Sequence, residues 1–401
     1  MTQVQPPAAD AARRDAPTAW PAPAWLPLTS TSRSVALEVL LHGPLSRSEL
    51  ARRLGLSAGT LTRLAKPLLE DGLLVEDGRS RDPGTGRPAR PLDVVADAHH
   101  FIGVRLTSTQ ATAVVTDLRA CVVASTEARL DDTSPEAVVA TIARLVAELC
   151  TTVPATSVGI ALGGQVRASS TVLRAPFLGW DEVPLADLVQ EATGLPVTVE
   201  NDVVSLTTAE HWFGSGRGRD DFAVVTVGVG VGCGLVTHGQ VAAGDDAGVG
   251  LLGHQPLGLP APLCHLGHRG CAEGVLTDAS ILNQASAAFG RPVVWGEMLD
   301  LAAAAHPVAQ ALLEDFAVGL GRLVALVGNV STVPLVIVSG ESVGLARLVE
   351  GRVRAVAAAE RDPAANELEL TFQPAPAEEW ASGAAAVALR RYVSTDHSAT
   401  S

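Results

Sequence analysis

Lysine is almost missing from this chain: Lys66 is the only one in 401 residues, so nearly all basic charge is arginine. Cysteine is sparse and odd in number, at Cys121, Cys150, Cys233, Cys264 and Cys271. That excludes a disulfide framework and fits a reducing compartment. No uncharged apolar run approaches the roughly 18 residues of a transmembrane helix, and the first residues contain no apolar signal-peptide core. A cytoplasmic location away from any membrane is expected. The Ala- and Pro-rich segment 1–29 and the short segment 394–401 are expected to be disordered tails.

What is present starts with charge. The net charge is −14, which alone argues against a nucleic-acid partner. Its distribution reverses that argument: residues 31–97 sum to +1 and the remainder to −15. A near-neutral module can bind DNA if its basic residues share one face. The 47% hydrophobic content can fill a large core, and 38 glycines imply many tight turns.

Residues 30–97 read as a winged helix-turn-helix. A helical run over 34–41 stops at His42-Gly43-Pro44. Ser46 with Glu49 three residues later predicts a capping box opening a second helix. After the turn Gly55-Leu56-Ser57, Ser57 caps a third helix, in which Leu61, Leu64, Leu68 and Leu69 form one apolar stripe. The opposite face offers Gly59, Thr62, Arg63 and Lys66, small, hydroxylated and basic groups suited to a major groove. Pro67 is expected to kink or end that helix. Two strands, 73–76 and 92–95, flank a loop carrying Arg79, Arg81, Arg87 and Arg90. An arginine between Gly86 and Pro88 is slim enough for a minor groove. The DNA-contacting set is therefore Ser57, Gly59, Thr60, Thr62, Arg63, Lys66, Arg87 and Arg90. The alternative is a small helical interaction module with solvated arginines.

From Phe101 the pattern alternates. Strands are expected over 101–104, 111–115, 121–124, 158–162, 197–200 and 222–227, with helices over 135–149 and 185–192. This order implies an α/β domain with ligands at strand C-terminal ends. Three segments carry a specific resemblance: ENDVVSLTTAEHWFGSGRG, TVGVGVGCGLVTHGQ and GHQPLGLPAPLCHLGHRGCAEG. They resemble the ROK family of repressors, open reading frames and sugar kinases. The resemblance implies an actin-like, ribonuclease-H-like two-lobed domain over residues 98–393, and its repressors are the subgroup that carries a winged helix.

The resemblance also implies where this chain departs. Family kinases hold ATP phosphates with an Asp-x-Gly-Gly-Thr-Lys turn, which here reads Arg105-Leu106-Thr107-Ser108-Thr109-Gln110. The second phosphate loop, usually Gly-Thr-Gly, is Gly228-Val229-Gly230. No ATP and no catalysis are expected, because phosphoryl transfer depends on phosphate positioning. Asp202, the position of the kinase base, is read as a hydrogen-bond acceptor for a sugar hydroxyl. The implied sugar ligands are Gly164, Asn201, Asp202, His254 and Glu273. Leu251 and Phe177 replace polar family residues, and Asn201-Asp202 could instead be only a strand-end cap. The family's structural zinc is implied at His254, Cys264 and Cys271. Its remaining Cys is Leu266, so His268 or His265 supplies the fourth ligand, or the loop is metal-free and held by packing. The expected partners are an operator DNA, a sugar effector and a second copy of the chain, as a homodimer or a tetramer. An active kinase with a DNA-binding head, or a regulator whose sensor is now only a scaffold, are the competing readings.

Overall fold

The computed structural model describes residues 30–76, 80–81, 88–244 and 246–394. Both expected tails lie outside the described residues, except that Ser394 ends the last helix instead of starting a tail. Arg79 and Arg87 of the wing also lie outside them.

The head contains α1 (Ser30–His42), α2 (Arg47–Leu54) and α3 (Ala58–Glu70). Strand β1 (Leu74–Glu76) follows, then β2 (Ser80–Arg81), β3 (Pro88–Ala89) and β4 (Leu92–Val94). Strands β1 and β4 pair antiparallel, as do β2 and β3, which is a wing. The starts of α2 and α3 each have a chemical reason. Ser46 accepts the Glu49 amide and Ser57 the Thr60 amide. The reciprocal half of the expected capping box is not made, because the Glu49 carboxylate turns to Arg52 and Arg53. Two guanidiniums outcompete one backbone amide for it. Of the two expectations for Pro67, the end of the helix is not met: α3 runs through it to Glu70. The buried stripe of Leu61, Ala65 and Leu68 holds the helical path across the missing hydrogen bond.

The body has two lobes built to one plan. In the first, β5 (Phe101–Leu106), β6 (Gln110–Thr116) and β7 (Val122–Arg129) form a meander, followed by α4 (Pro135–Cys150) and β8 (Ser157–Leu162). A small antiparallel sheet of β9 (Gln165–Arg167), β10 (Thr171–Ala175) and β11 (Trp180–Val183) comes next. Helix α5 (Leu185–Thr193), β12 (Val197–Asn201) and α6 (Asp202–Trp212) complete that lobe. The second meander is β13 (Phe222–Val227), β14 (Val231–Thr237) and β15 (Gln240–Val241). Helices α7 (Ala272–Leu276), α8 (Asp278–Phe289), α9 (Trp295–Ala303) and α10 (Pro307–Ser331) follow, then β16 (Leu335–Ser339). Helices α11 (Val343–Leu348) and α12 (Glu350–Ala359), β17 (Glu369–Phe372) and α13 (Ala377–Ser394) close the chain. Sheet orders are β12-β8-β5-β6-β7 and β15-β14-β13-β16-β17. Each is a meander whose first strand then gains two parallel neighbours, so the lobes repeat one topology.

Helix α13 returns the chain's end to the first lobe. Its small face, Ala381, Gly383, Ala384 and Ala385, is buried. It meets Gly103 and Gly159, paired across β5 and β8. A Cβ on either glycine would stand 1.9 Å from an α13 carbonyl oxygen, on Ala381 and Ala384 respectively. Only glycine permits that approach. The head is docked by the same route. Val35, Val39 and Leu40 of α1 share one buried cluster with Phe101, Leu118, Trp212, Leu389 and Val393 of the body.

Candidate DNA-binding head and effector cleft

In α3 the residues split as the periodicity requires. Leu61, Ala65 and Leu68 are buried, while Ser57, Gly59, Thr62, Arg63 and Lys66 are exposed and Thr60 is half-buried. The Ser57 hydroxyl is also 2.9 Å from that of Thr60, and Thr62 donates to the Ala58 carbonyl. The helix start is thereby fixed with its small residues outward. Lys66 lies 3.7 Å from Glu70, an exposed pair of little energetic weight. At the foot of the wing, Arg90 and Arg47 both reach Glu76, at 3.4 and 2.7 Å. The structure thus groups Gly59, Thr62, Arg63 and Lys66 on one open face of α3, with Arg90 at the base of the wing.

The cleft is built at strand ends. Asn201, only 3% exposed, ends β12 and caps α6. Its Oδ1 accepts from the amides of Val203 and Val204, and its Nδ2 donates to Gly164 O at 3.1 Å. Gly164 is pressed against the carbonyl of Arg174, and Gly248 against Gly164 O itself, so the loop after β15 closes on this corner. Asp202, the first residue of α6, lies deep in the cleft. Desolvation pushes its carboxyl up, against the pull of the Arg105 guanidinium. Phe177 stands beside it: an ideal Cβ on Gly163 would be 3.6 Å from both the Asp202 carboxylate and the Phe177 ring.

At the β5–β6 turn and at Gly228, the two places compared above with phosphate loops, this chain's own side chains make close contacts. At the β5–β6 turn, the Thr107 hydroxyl receives the Gln110 amide at 3.0 Å and the Thr109 amide at 3.4 Å. At the other loop, a Cβ on Gly228 would meet Glu341 Oε2 at 2.2 Å, so the Glu341 carboxylate lies directly on it. Glu341 pairs with Arg105 across the cleft at 2.5 Å, and the guanidinium stacks 4.7 Å over the Trp380 ring. The sequence singles out Arg105 but not Glu341 or Trp380, whose only local sign is a polar Gly-Glu-Ser after a buried strand.

The Cys-His loop gathers most of its expected members. One ligating atom each from His254, Cys264 and Cys271 falls within 4.8 Å of the others. A tetrahedral ion with bonds of about 2.0–2.3 Å needs donors roughly 3.5 Å apart, so small adjustments suffice. Burial, with Cys264 alongside, holds the Cys271 thiol up. The His268 ring lies edge-on to His254 at 5.1 Å between centroids. His265 reaches Glu273 at 3.0 Å and forms with it and His254 a second group of ligating atoms within 4.8 Å of one another, whereas His268 belongs to neither group. Glu273 Oε2 is 3.3 Å from His254 Nδ1 but buried without a hydrogen bond. Leu266 and Leu251 are largely exposed.

Residues 101–391 match the ROK family, and residues 27–87 match the MarR family.

The chain belongs to the ROK family.

Among ROK proteins it is similar to the DNA-binding transcriptional repressor Mlc of Escherichia coli, at 26% identity over 303 residues, 72% of this chain and 75% of that protein. The xylose repressor of Bacillus subtilis is 24% identical over 61% of this chain and 65% of its own length. The glucokinase of Thermotoga maritima is 37% identical, but over only 38% of this chain and 49% of its own. Among solved structures, a ROK transcriptional regulator homologous to the E. coli Mlc protein superposes over 92% of this chain and 97% of its own. The TM-score is 0.76 at 24% identity. A Streptomyces griseus ROK glucokinase with glucose and AMPPNP covers 73% of this chain and 99% of its own, with a TM-score of 0.63 at 25% identity. The kinase matches the body, while the regulator extends over most of the chain.

Proposed function

We propose that this ROK protein is a DNA-binding repressor of carbohydrate metabolism, whose body binds a sugar or sugar derivative without phosphorylating it. The observation that carries DNA reading is the sorting of α3. Its apolar stripe is buried, and Gly59, Thr62, Arg63 and Lys66 stay exposed on a helix with a fixed start. Two copies, as a homodimer or as one pair within a tetramer built from dimers, would set two such helices on a pseudo-palindromic operator. Relatives named xylose repressor and N-acetylglucosamine repressor support a sugar as effector. A thermal-shift screen of D-xylose, D-glucose and N-acetyl-D-glucosamine tests the sensor. Stabilisation by a sugar supports it, and none by any sugar favours a scaffold.

The absence of kinase activity is part of this proposal. Arg105 puts a cation where the family kinases have an Asp, and Glu341 puts an anion against the second loop. A triphosphate entering there would meet the Glu341 charge and a turn whose amides are already bonded. Asp202 and the glucokinase relative favour the opposing reading, a working kinase. Incubation with ATP, magnesium and a hexose panel decides between them: hexose-dependent ADP formation would overturn our reading of Arg105. We also assign a structural zinc to His254, Cys264 and Cys271, with His268 as fourth ligand. It would tie the Cys-His loop to the cleft wall through His254.

A further inference from the structure

Helix α6 runs from the cleft to the DNA-binding head. Its first turn is at the cleft, where the Asn201 cap is tied to Gly164 and Asp202 follows. Eleven residues later, about 16 Å along a helix, Trp212 lies in the buried cluster that holds α1. Between these ends the helix is locked on several sides. Gly383 of α13 would place a Cβ 3.1 Å from the backbone of Ser205 and Leu206, and Gly234 of β14 meets the Thr207 side chain. The hydroxyls of Ser205, Thr207 and Thr208 each bond a backbone carbonyl four residues back, so the helix is buried without stranded polar atoms.

The segment after α6 grips the head directly. Buried Glu210 receives the Ser215 amide at 2.7 Å, which orders the turn into Arg217. The Arg217 Nε donates to Leu41 O at 2.5 Å and its Nη2 to Gly43 O at 3.4 Å. Those carbonyls end α1, where helical carbonyls lack partners of their own. The joint is anchored there but is not close-packed. A pocket of about 170 Å³, partly open to solvent, lies beside the joint, lined among others by Leu41, His42, His211, Trp212 and Asp220. Arg119 of the body also reaches Leu40 O at 3.4 Å and pairs with Asp93, so Arg217 is the grip that arrives from the α6 side. A buried rod, that grip and the open pocket beside it together describe a pivot.

We propose that α6 carries the state of the cleft to the head, and that Arg217 is the positioning residue that couples them. This rests on the reading of the cleft as the effector site. Hydrogen–deuterium exchange on the full chain tests it, compared among the wild type, Asn201→Ala, Arg217→Ala and Arg217→Lys. Loss of the cap should speed exchange about fivefold at the start of α6. On our account the same variant also speeds exchange at residues 212–217 and 39–43. Arg217→Ala should speed 39–43 while leaving the start of α6 unchanged, and Arg217→Lys should restore part of that protection. A sugar that raises the melting temperature in the thermal-shift screen should protect residues 39–43 in the wild type. In Arg217→Ala the same sugar should give the same thermal shift, with protection that stops at α6. Should Asn201→Ala not fold, Asn201→Ser keeps a cap and loses the Gly164 tether. Effects of the Asn201 variants confined to the cleft would overturn the proposal. So would sugar protection of 39–43 that persists in Arg217→Ala. If no sugar stabilises the chain, the effector reading fails on its own, while the exchange of the Asn201 variants still decides the coupling.

Discussion

Arg63 stands exposed on the outward face of α3, less than two turns from the Ser57 cap. A phosphate contact there releases counterions, so Arg63→Ala should weaken DNA binding and lower the slope of log affinity against log salt by about one. Unchanged affinity in a salt titration would mean that another face reads DNA. His99 makes a different kind of prediction. Burial, helped by neighbouring His100, pushes it from 6.5 down to about 4, beside Thr156 and the Tyr392 ring. A histidine held neutral in the fold and free to protonate when unfolded makes acid favour the unfolded state. Stability should therefore be level above pH 6.5, fall between 6.5 and about 4, and level off below that. Denaturation midpoints across that range check it, and His99→Gln should flatten the slope. The zinc assignment also belongs to single residues. Metal analysis of the purified chain should find zinc in the wild type and lose it in Cys264→Ser, with a lower melting temperature after chelation. A full-length protein that holds no zinc would leave the loop to packing alone.

Among the elements, long strands and amphipathic helices were legible because their burial follows period or continuous apolar runs. Strand β8, entirely buried over Ser157–Leu162, and α4, with Val138, Ile142, Leu145 and Leu149 inward, match their sequence signals closely. The role of α13 was not legible. A run of alanines and glycine carries no periodic contrast, and its meaning depends on glycines in β5 and β8 more than 200 residues earlier. Pro67 was misleading for a related reason: local propensity counts a lost hydrogen bond, while tertiary burial of Leu68 keeps the helix intact. The α13 contact makes a sharp test. Gly103→Ala puts a methyl against the Ala381 carbonyl, and the overpacking should cost about 3 kcal/mol or more in urea denaturation. A loss under about 0.5 kcal/mol, typical of surface changes, would show that α13 does not lie so close.

For the whole molecule, the sequence located the cleft by its motifs but not what fills it. Arg105 and Glu341 are 236 residues apart, and nothing local links them. Only the folded lobes bring one charge onto the other. The same holds for the head, where Arg217 reaches α1 across 174 residues or more. Asn201 and Asp202 were visible as a pair, yet the fold divides them. Asn201 serves as cap and tether, and Asp202 is left facing the cleft with its carboxyl pushed up. The body is thus a ROK fold with an Arg105–Glu341 pair across its cleft, joined to a head whose α3 face is open. The most direct test is selection of bound sequences from a random DNA pool, repeated in the presence of D-xylose, D-glucose or N-acetyl-D-glucosamine. The account predicts one enriched pseudo-palindromic motif whose half-sites are spaced by whole helical turns, with affinity that changes when one of the sugars is present. A pool with no enriched sequence would contradict it.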